Sequence, residues 1–146
     1  MLLCGSCLPF LCHGQQNKLI VTAPELFSIK RGETAKVAVK VSTLPGFHVN
    51  SDKPKDEFLI PLALTWNNGS LEQKSIVYPK PEEIKVGNET LSVFTGTFEI
   101  ETEFKAPEKV GTGPTNLTGK VRYQACNNQM CFRPSTIEFR VPAVIE

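Results

Sequence analysis

Thr34-Ala35-Lys36-Val37-Ala38-Val39-Lys40-Val41 places Ala35, Val37, Val39 and Val41 on one side of an extended chain and Lys36 and Lys40 on the other. Side chains in a strand point to opposite faces at each step, so this is a strand with one face in a core and one in water. Such half-buried strands belong to antiparallel sheets. Thr97-Phe98-Glu99-Ile100-Glu101-Thr102-Glu103-Phe104 repeats the pattern, with Phe98, Ile100 and Phe104 inward and the acids outward. The same reading gives further short strands at 18–21, 26–29, 47–49, 60–66, 74–78, 91–94, 118–124 and 136–141. Turn residues separate them: Arg31-Gly32-Glu33, Pro45-Gly46, Asn67-Asn68-Gly69, Gly87-Asn88 and Gly111-Thr112-Gly113-Pro114. No segment keeps an i, i+3, i+4, i+7 apolar pattern for three turns, and the 11 prolines and 10 glycines suit many turns. The expectation is an all-β protein, an antiparallel β-sandwich of immunoglobulin type, with a small barrel as the alternative. Residues 79–90, rich in Pro and Glu, read as a loop lying over another part of the molecule.

The 146 residues suit one domain. Hydrophobic residues make up 40% and charged residues 21%, a globular composition rather than a disordered one. A net charge of +1 gives no electrostatic basis for binding nucleic acid or an anionic membrane. No apolar run is long enough to span a bilayer as a helix. Residues 1–14 are apolar and rich in small residues, turn polar at His13, and offer Cys12-His13-Gly14 as a cleavage site. They read as a signal peptide that lacks its basic start, leaving 15–146 as one exported domain, periplasmic or otherwise outside the cytoplasm. Three of the five cysteines, Cys4, Cys7 and Cys12, leave with that leader, and the remaining two can pair. An exported domain sits where disulfides persist.

Those two, Cys126 and Cys131, lie in Tyr123-Gln124-Ala125-Cys126-Asn127-Asn128-Gln129-Met130-Cys131-Phe132-Arg133-Pro134, a polar loop between strands. Three readings stand. As a staple, a bond closing so short a loop stabilises the fold by only about 2 kcal/mol on the loop-entropy estimate. As a redox centre, an exposed short-loop disulfide is open to a partner's thiolate, and Lys120, Arg122 and Arg133 could stabilise the charge. Arg122 and Gln124 share a strand face, which Cys126 would join if the strand continued. As a metal site, Cys126, Met130, Cys131 and His48 would make a soft set suited to Cu(I), though the spacing matches no zinc site.

Four stretches together resemble the N-terminal periplasmic domain of the thiol:disulfide interchange protein DsbD. They are 45–54 (Pro-Gly-Phe-His-Val-Asn-Ser-Asp-Lys-Pro), Phe58-Leu59-Ile60-Pro61, Tyr78-Pro79-Lys80-Pro81, and the Tyr123–Pro134 block. The resemblance runs in order over about residues 18–142, and the last block is its specific part. It implies an immunoglobulin-like sandwich. It also implies that Cys126 and Cys131 are the active pair, taking electrons from a membrane-embedded reductase domain and passing them to periplasmic, thioredoxin-like disulfide proteins. Tyr123, Gln124 and Pro134 match flanking positions, and the loop between the cysteines is one residue shorter than in better-known members. In that family a loop caps the pair until a partner docks. Asp56-Glu57-Phe58 resembles the cap's motif, but the cap's positional equivalent is nearer 81–94. The implied activity is that of a thiol:disulfide oxidoreductase acting as an electron relay, without cofactor or metal. The alternative is a secreted immunoglobulin-like binding module whose disulfide is purely structural.

The remaining features read as structural. His48 and Trp66 fall in apolar strands, Glu82-Glu83 reads as solvated loop, and no Ser-His-Asp set is visible. Three glycosylation sequons, at Asn68, Asn88 and Asn116, each fall at an expected turn.

Overall fold

The computed structural model describes residues 17–146, so the expected leader at 1–14, with Cys4, Cys7 and Cys12, lies outside the described residues. The regular structure described is entirely β. In chain order the strands are β1 (Leu19–Thr22), β2 (Phe27–Ile29), β3 (Thr34–Thr43), β4 (His48–Asn50), β5 (Ala63–Asn67) and β6 (Glu72–Val77). They continue as β7 (Glu82–Val86), β8 (Glu89–Phe94), β9 (Thr97–Lys105), β10 (Gly113–Tyr123), β11 (Ala125–Cys126) and β12 (Ser135–Ile145). They form three four-stranded sheets, ordered β1-β3-β9-β6, β2-β12-β10-β5 and β11-β4-β8-β7. Pairing is antiparallel except for β2, which runs parallel to β12.

The first two sheets make the sandwich. Val37, Val39 and Val41 of β3 and Ile100 and Phe104 of β9 are buried with Leu117 and Val121 of β10 and Val141 of β12. These are the inward residues of the expected alternation. Burying each such side chain contributes about 1.5–3 kcal/mol. The core divides into two clusters. One, around Val39, Ile100, Val121 and Tyr123, reaches Val49 and Ala125 of the third sheet; the other, around Val37, Phe104, Leu117 and Ile145, fills the opposite end. Trp66 bridges them, edge-on to Phe104 at 5.2 Å and to Phe139 at 5.4 Å. Its Nε1 donates to Thr102 Oγ1 at 2.9 Å, which satisfies that buried hydroxyl. Trp66, expected in the core, is half-buried and packs against both clusters.

Three expectations need correction. Residues 79–90 are not a loop: they hold β7 and the start of β8. Edge strand β7 leaves Glu82, Glu83 and Lys85 exposed and only half-buries Ile84 and Val86, so a weak apolar pattern hid it. Gly87 and Asn88 make its two-residue turn, with Gly87 at φ 63° in the first position. The strand expected at 60–66 begins only at Ala63. Pro61 has no N–H to donate to a ladder, and the flanking Ile60 N and Leu62 N donate to Gln124 Oε1 and Ser51 O. Asn116 lies within β10, not at a turn.

Candidate functional site

β10 runs in the second sheet as far as Tyr123, and β11 resumes pairing in the third, with Ala125 opposite Val49 and Cys126 opposite His48. Gln124 is the single residue between them. Along the face expected for Arg122, Gln124 and Cys126, exposure falls stepwise: Arg122 is exposed, Gln124 half-buried and Cys126 buried, because beyond Gln124 the chain pairs with β4 in the third sheet.

The Gln124 side chain holds the crossover together. Its Oε1 accepts from Asn50 Nδ2 at 3.0 Å and from Ile60 N at 3.2 Å, and its Nε2 donates to Phe132 O at 3.4 Å. One carboxamide ties β4, the segment before β5 and the segment leaving Cys131. Asn50 is buried, so Gln124→Ala strands donors away from water. The expected loss is about 1–3 kcal/mol, read as a lower midpoint in urea with unchanged slope.

Cys126 and Cys131 face each other as an antiparallel bridge and are joined by a disulfide, with Cα atoms 4.0 Å apart. The intervening loop is set by its own hydrogen bonds. Asn127 N donates to Met130 O at 2.9 Å, while Asn127 Oδ1 accepts from the backbone N–H groups of Gln129 and Met130, each at 2.8 Å. This is the local turn chemistry that asparagine favours. Phe132 N closes the hairpin on Ala125 O at 2.8 Å. The two cysteines differ in exposure. Cys126 is 2% exposed, packed at the end of the core, whereas Cys131 lies on the outer limb of the hairpin and is open to solvent.

Beside Cys131 lies a cleft of about 420 Å³ lined by Lys18, Tyr123, Ala125, Met130, Cys131, Phe132, Arg133 and Ser135. Lys18 arrives from the start of the domain. Its N donates to Tyr123 Oη at 3.2 Å and its carbonyl accepts from Leu44 N at 3.1 Å. Its ammonium lies 5.3 Å from the Phe47 ring centre and 5.4 Å from that of Phe132, within cation–π range of both. Of the cations singled out from sequence, only Arg133 lines this cleft. Lys120 borders a separate groove with Thr65, Trp66 and Glu138, and Arg122 stands exposed on β10. Lys18 was missed because nothing local marks a residue that is 105 positions from Tyr123.

The imagined copper set does not assemble. Among the described residues no three His, Cys, Asp or Glu side chains converge on one point, the two sulfurs are bonded to each other, and Met130 is 54% exposed. His48 is buried, and its Nε2 meets no protein partner. Burial disfavours the imidazolium and holds its pKa below the ordinary 6.5. The unfolded chain then binds more protons just below that value, so stability is full above it and falls as pH drops toward the folded value. The melting temperature is expected to begin to decline as pH falls through about 6.5, before the carboxyls titrate. His48→Phe is expected to flatten the profile there.

Residues 81–94, where the resemblance would put the cap's equivalent, hold β7 and β8, with β7 at the far edge of the third sheet from β11. Asp56-Glu57-Phe58 forms a tight turn in which Phe58 N donates to Asp56 Oδ1 at 2.9 Å, leaving Phe58 83% exposed.

No curated protein sequence matches the chain. Among solved structures it is similar to the N-terminal periplasmic domain of ScsB from Proteus mirabilis, at 16% identity and a TM-score of 0.57, covering 84% of this chain and 44% of that one. The chain thus spans less than half the length of that ScsB domain, and the likeness shows a shared fold. The N-terminal domain of Neisseria meningitidis DsbD in its reduced form matches at 18% identity and a TM-score of 0.46, covering 74% of this chain and 80% of that one. Residues 16–143 match the sequence profile described as "Thiol:disulfide interchange protein DsbD, N-terminal". With its immunoglobulin-like sandwich and paired cysteines, the chain belongs to the family of DsbD N-terminal domains.

Proposed function

We propose that the Cys126–Cys131 pair is a thiol-disulfide exchange centre that relays reducing equivalents between proteins outside the cytoplasm. The observation that carries this reading is the asymmetry of the pair: Cys131 is an exposed residue and Cys126 a buried one. Disulfides exchange by thiolate attack on one of the two sulfurs, and access decides which. An incoming protein thiolate forms a new S–S bond to Cys131. The old bond breaks, and its electron pair leaves on Cys126, which takes a proton. A second thiol of the donor then attacks the mixed disulfide and releases Cys131. The donor dithiol has lost two electrons and two protons, and the pair has gained them. The reduced pair runs the same steps backwards on an acceptor disulfide.

The donor and acceptor are protein dithiols and disulfides, of the membrane-reductase or thioredoxin-like kind that the family resemblance implies. A periplasmic setting fits a family whose ScsB relative is described as periplasmic, and disulfides persist in such compartments. Besides the S–S bond, the hairpin has its own hydrogen bonds to support its shape. That suits a bond made and broken in turn better than a staple.

The test is the reduction potential, measured by equilibration in glutathione or dithiothreitol buffers with thiol trapping and peptide mapping of the Cys126–Cys131 segment. A value between about −120 and −270 mV is expected of an exchange protein. A value below about −300 mV marks a structural bond and leaves the binding-module reading in its place.

A further inference from the structure

The cleft beside Cys131 carries positive charge that no carboxylate among the described residues neutralises. Lys18 and Arg133 both line it, and among the described residues no acidic side chain does. The ion pairs among the described residues are Lys36–Glu101, Lys55–Glu83 and Lys74–Glu72, so neither Lys18 nor Arg133 is neutralised by them. Lys18 is moreover held in place. Its backbone is bonded on both sides, to Tyr123 Oη and Leu44 N, and its ammonium lies against Phe47 and Phe132. A cation fixed in advance loses less side-chain entropy on binding than a free surface lysine. Beneath it the buried Tyr123 and Ala125 give the cleft an apolar floor. The volume of about 420 Å³ lies within the roughly 300–1,000 Å³ that seat small ligands.

A protein that delivers its thiol to Cys131 brings the residues next to that thiol against this cleft. We infer that the cleft is a specificity subsite for the segment flanking the partner's reactive cysteine, and that it selects a carboxylate side chain there, seated on Lys18 and Arg133. The inference rests on the relay reading above and adds the chemistry of the partner. The selection is local, because the chain as a whole carries a net charge of only +1 and so has little long-range pull on an acidic partner.

Two synthetic single-cysteine peptides test it, one with glutamates and one with lysines flanking the thiol. Each is mixed with the full oxidised chain and quenched with acid, and the mixed disulfide at Cys131 is followed by mass mapping. Each rate is divided by that peptide's rate with a neutral small disulfide, which removes the effect of charge on its own thiol. The glutamate peptide is expected to react on the order of ten-fold faster at low salt, with the advantage shrinking as salt screens the cleft. Lys18→Met keeps the stem over the aromatic rings, and Arg133→Gln alters an exposed residue. Each is expected to reduce the preference, and the double variant to abolish it, with folding checked by thermal melting. Lys109→Gln, in the turn after β9 at the other end of the sandwich, is expected to leave it unchanged.

Equal rates for the two peptides, or a preference that survives in the double variant, overturn this inference alone. A bond inert to both peptides, yet reduced once the chain is unfolded, overturns the relay reading and this inference together.

Discussion

Cys131→Ser is expected to abolish disulfide exchange, and Cys126→Ser to arrest it half-way. The hydrogen-bonded hairpin leaves Cys131 open and packs Cys126 at 2% exposure against the end of the core. With Cys126 replaced, Cys131 remains as an accessible thiol. It attacks a partner disulfide, and the mixed disulfide then lacks the internal thiol that would resolve it. The adduct accumulates and can be isolated on non-reducing gels, with the linkage mapped to Cys131 so that Cys4, Cys7 and Cys12 do not confuse the assignment. With Cys131 replaced, the remaining sulfur is buried and no adduct at Cys126 is expected without denaturant. Equal trapping by the two variants would remove the asymmetry on which the mechanism depends. Both variants lose the same S–S bond, so the loop-closure contribution cancels between them.

Phe104→Ala is expected to cost about 3–5 kcal/mol, the range for emptying a buried aromatic site. Phe104 is fully buried, and its ring meets Phe27 at 6.2 Å and Trp66 at 5.2 Å. Its strand is held along both edges, with β9 paired to β3 on one side and β6 on the other, so the cavity cannot close by a small shift. Phe104 belongs to the core cluster away from the hairpin, whereas Tyr123 and Ala125 belong to the other. The reduction potential of Cys126–Cys131 is therefore expected to stay unchanged in Phe104→Ala while the chemical-denaturation midpoint falls steeply. A potential that moved with stability would mean that the hairpin is governed by the whole core rather than by its own turn and Gln124.

The two long strands at the centre of the first sheet were legible because each buries one face. Val37, Val39 and Val41 of β3, and Ile100 and Phe104 of β9, alternate with residues that water can reach, and a period of two leaves no other reading. Strand β7 was not legible. With little to bury, its Glu82-Glu83-Ile84-Lys85-Val86 sequence carries no contrast between faces, and it is strand only because β8 offers a ladder. The cysteine pair was legible through its short spacing and its flanking block. The chemistry around it was legible only in part: Arg133 is adjacent in sequence, but Lys18 is brought in by β1 pairing with β3 and by the Tyr123 hydroxyl.

The sequence by itself determined the all-β class, the bond between Cys126 and Cys131 as a possibility, and the family to which the Tyr123–Pro134 block points. Periodicity, turn chemistry and spacing are local properties, and a chain states them without being folded. Only the tertiary structure decided which cysteine is exposed and which is buried, because that depends on the change of sheet at Gln124. It also decided that Lys18, and not Lys120 or Arg122, shares the cleft with Cys131. Exposure and charge neighbourhood are set by strand pairings between distant segments, and no window along the sequence contains both partners of such a pairing.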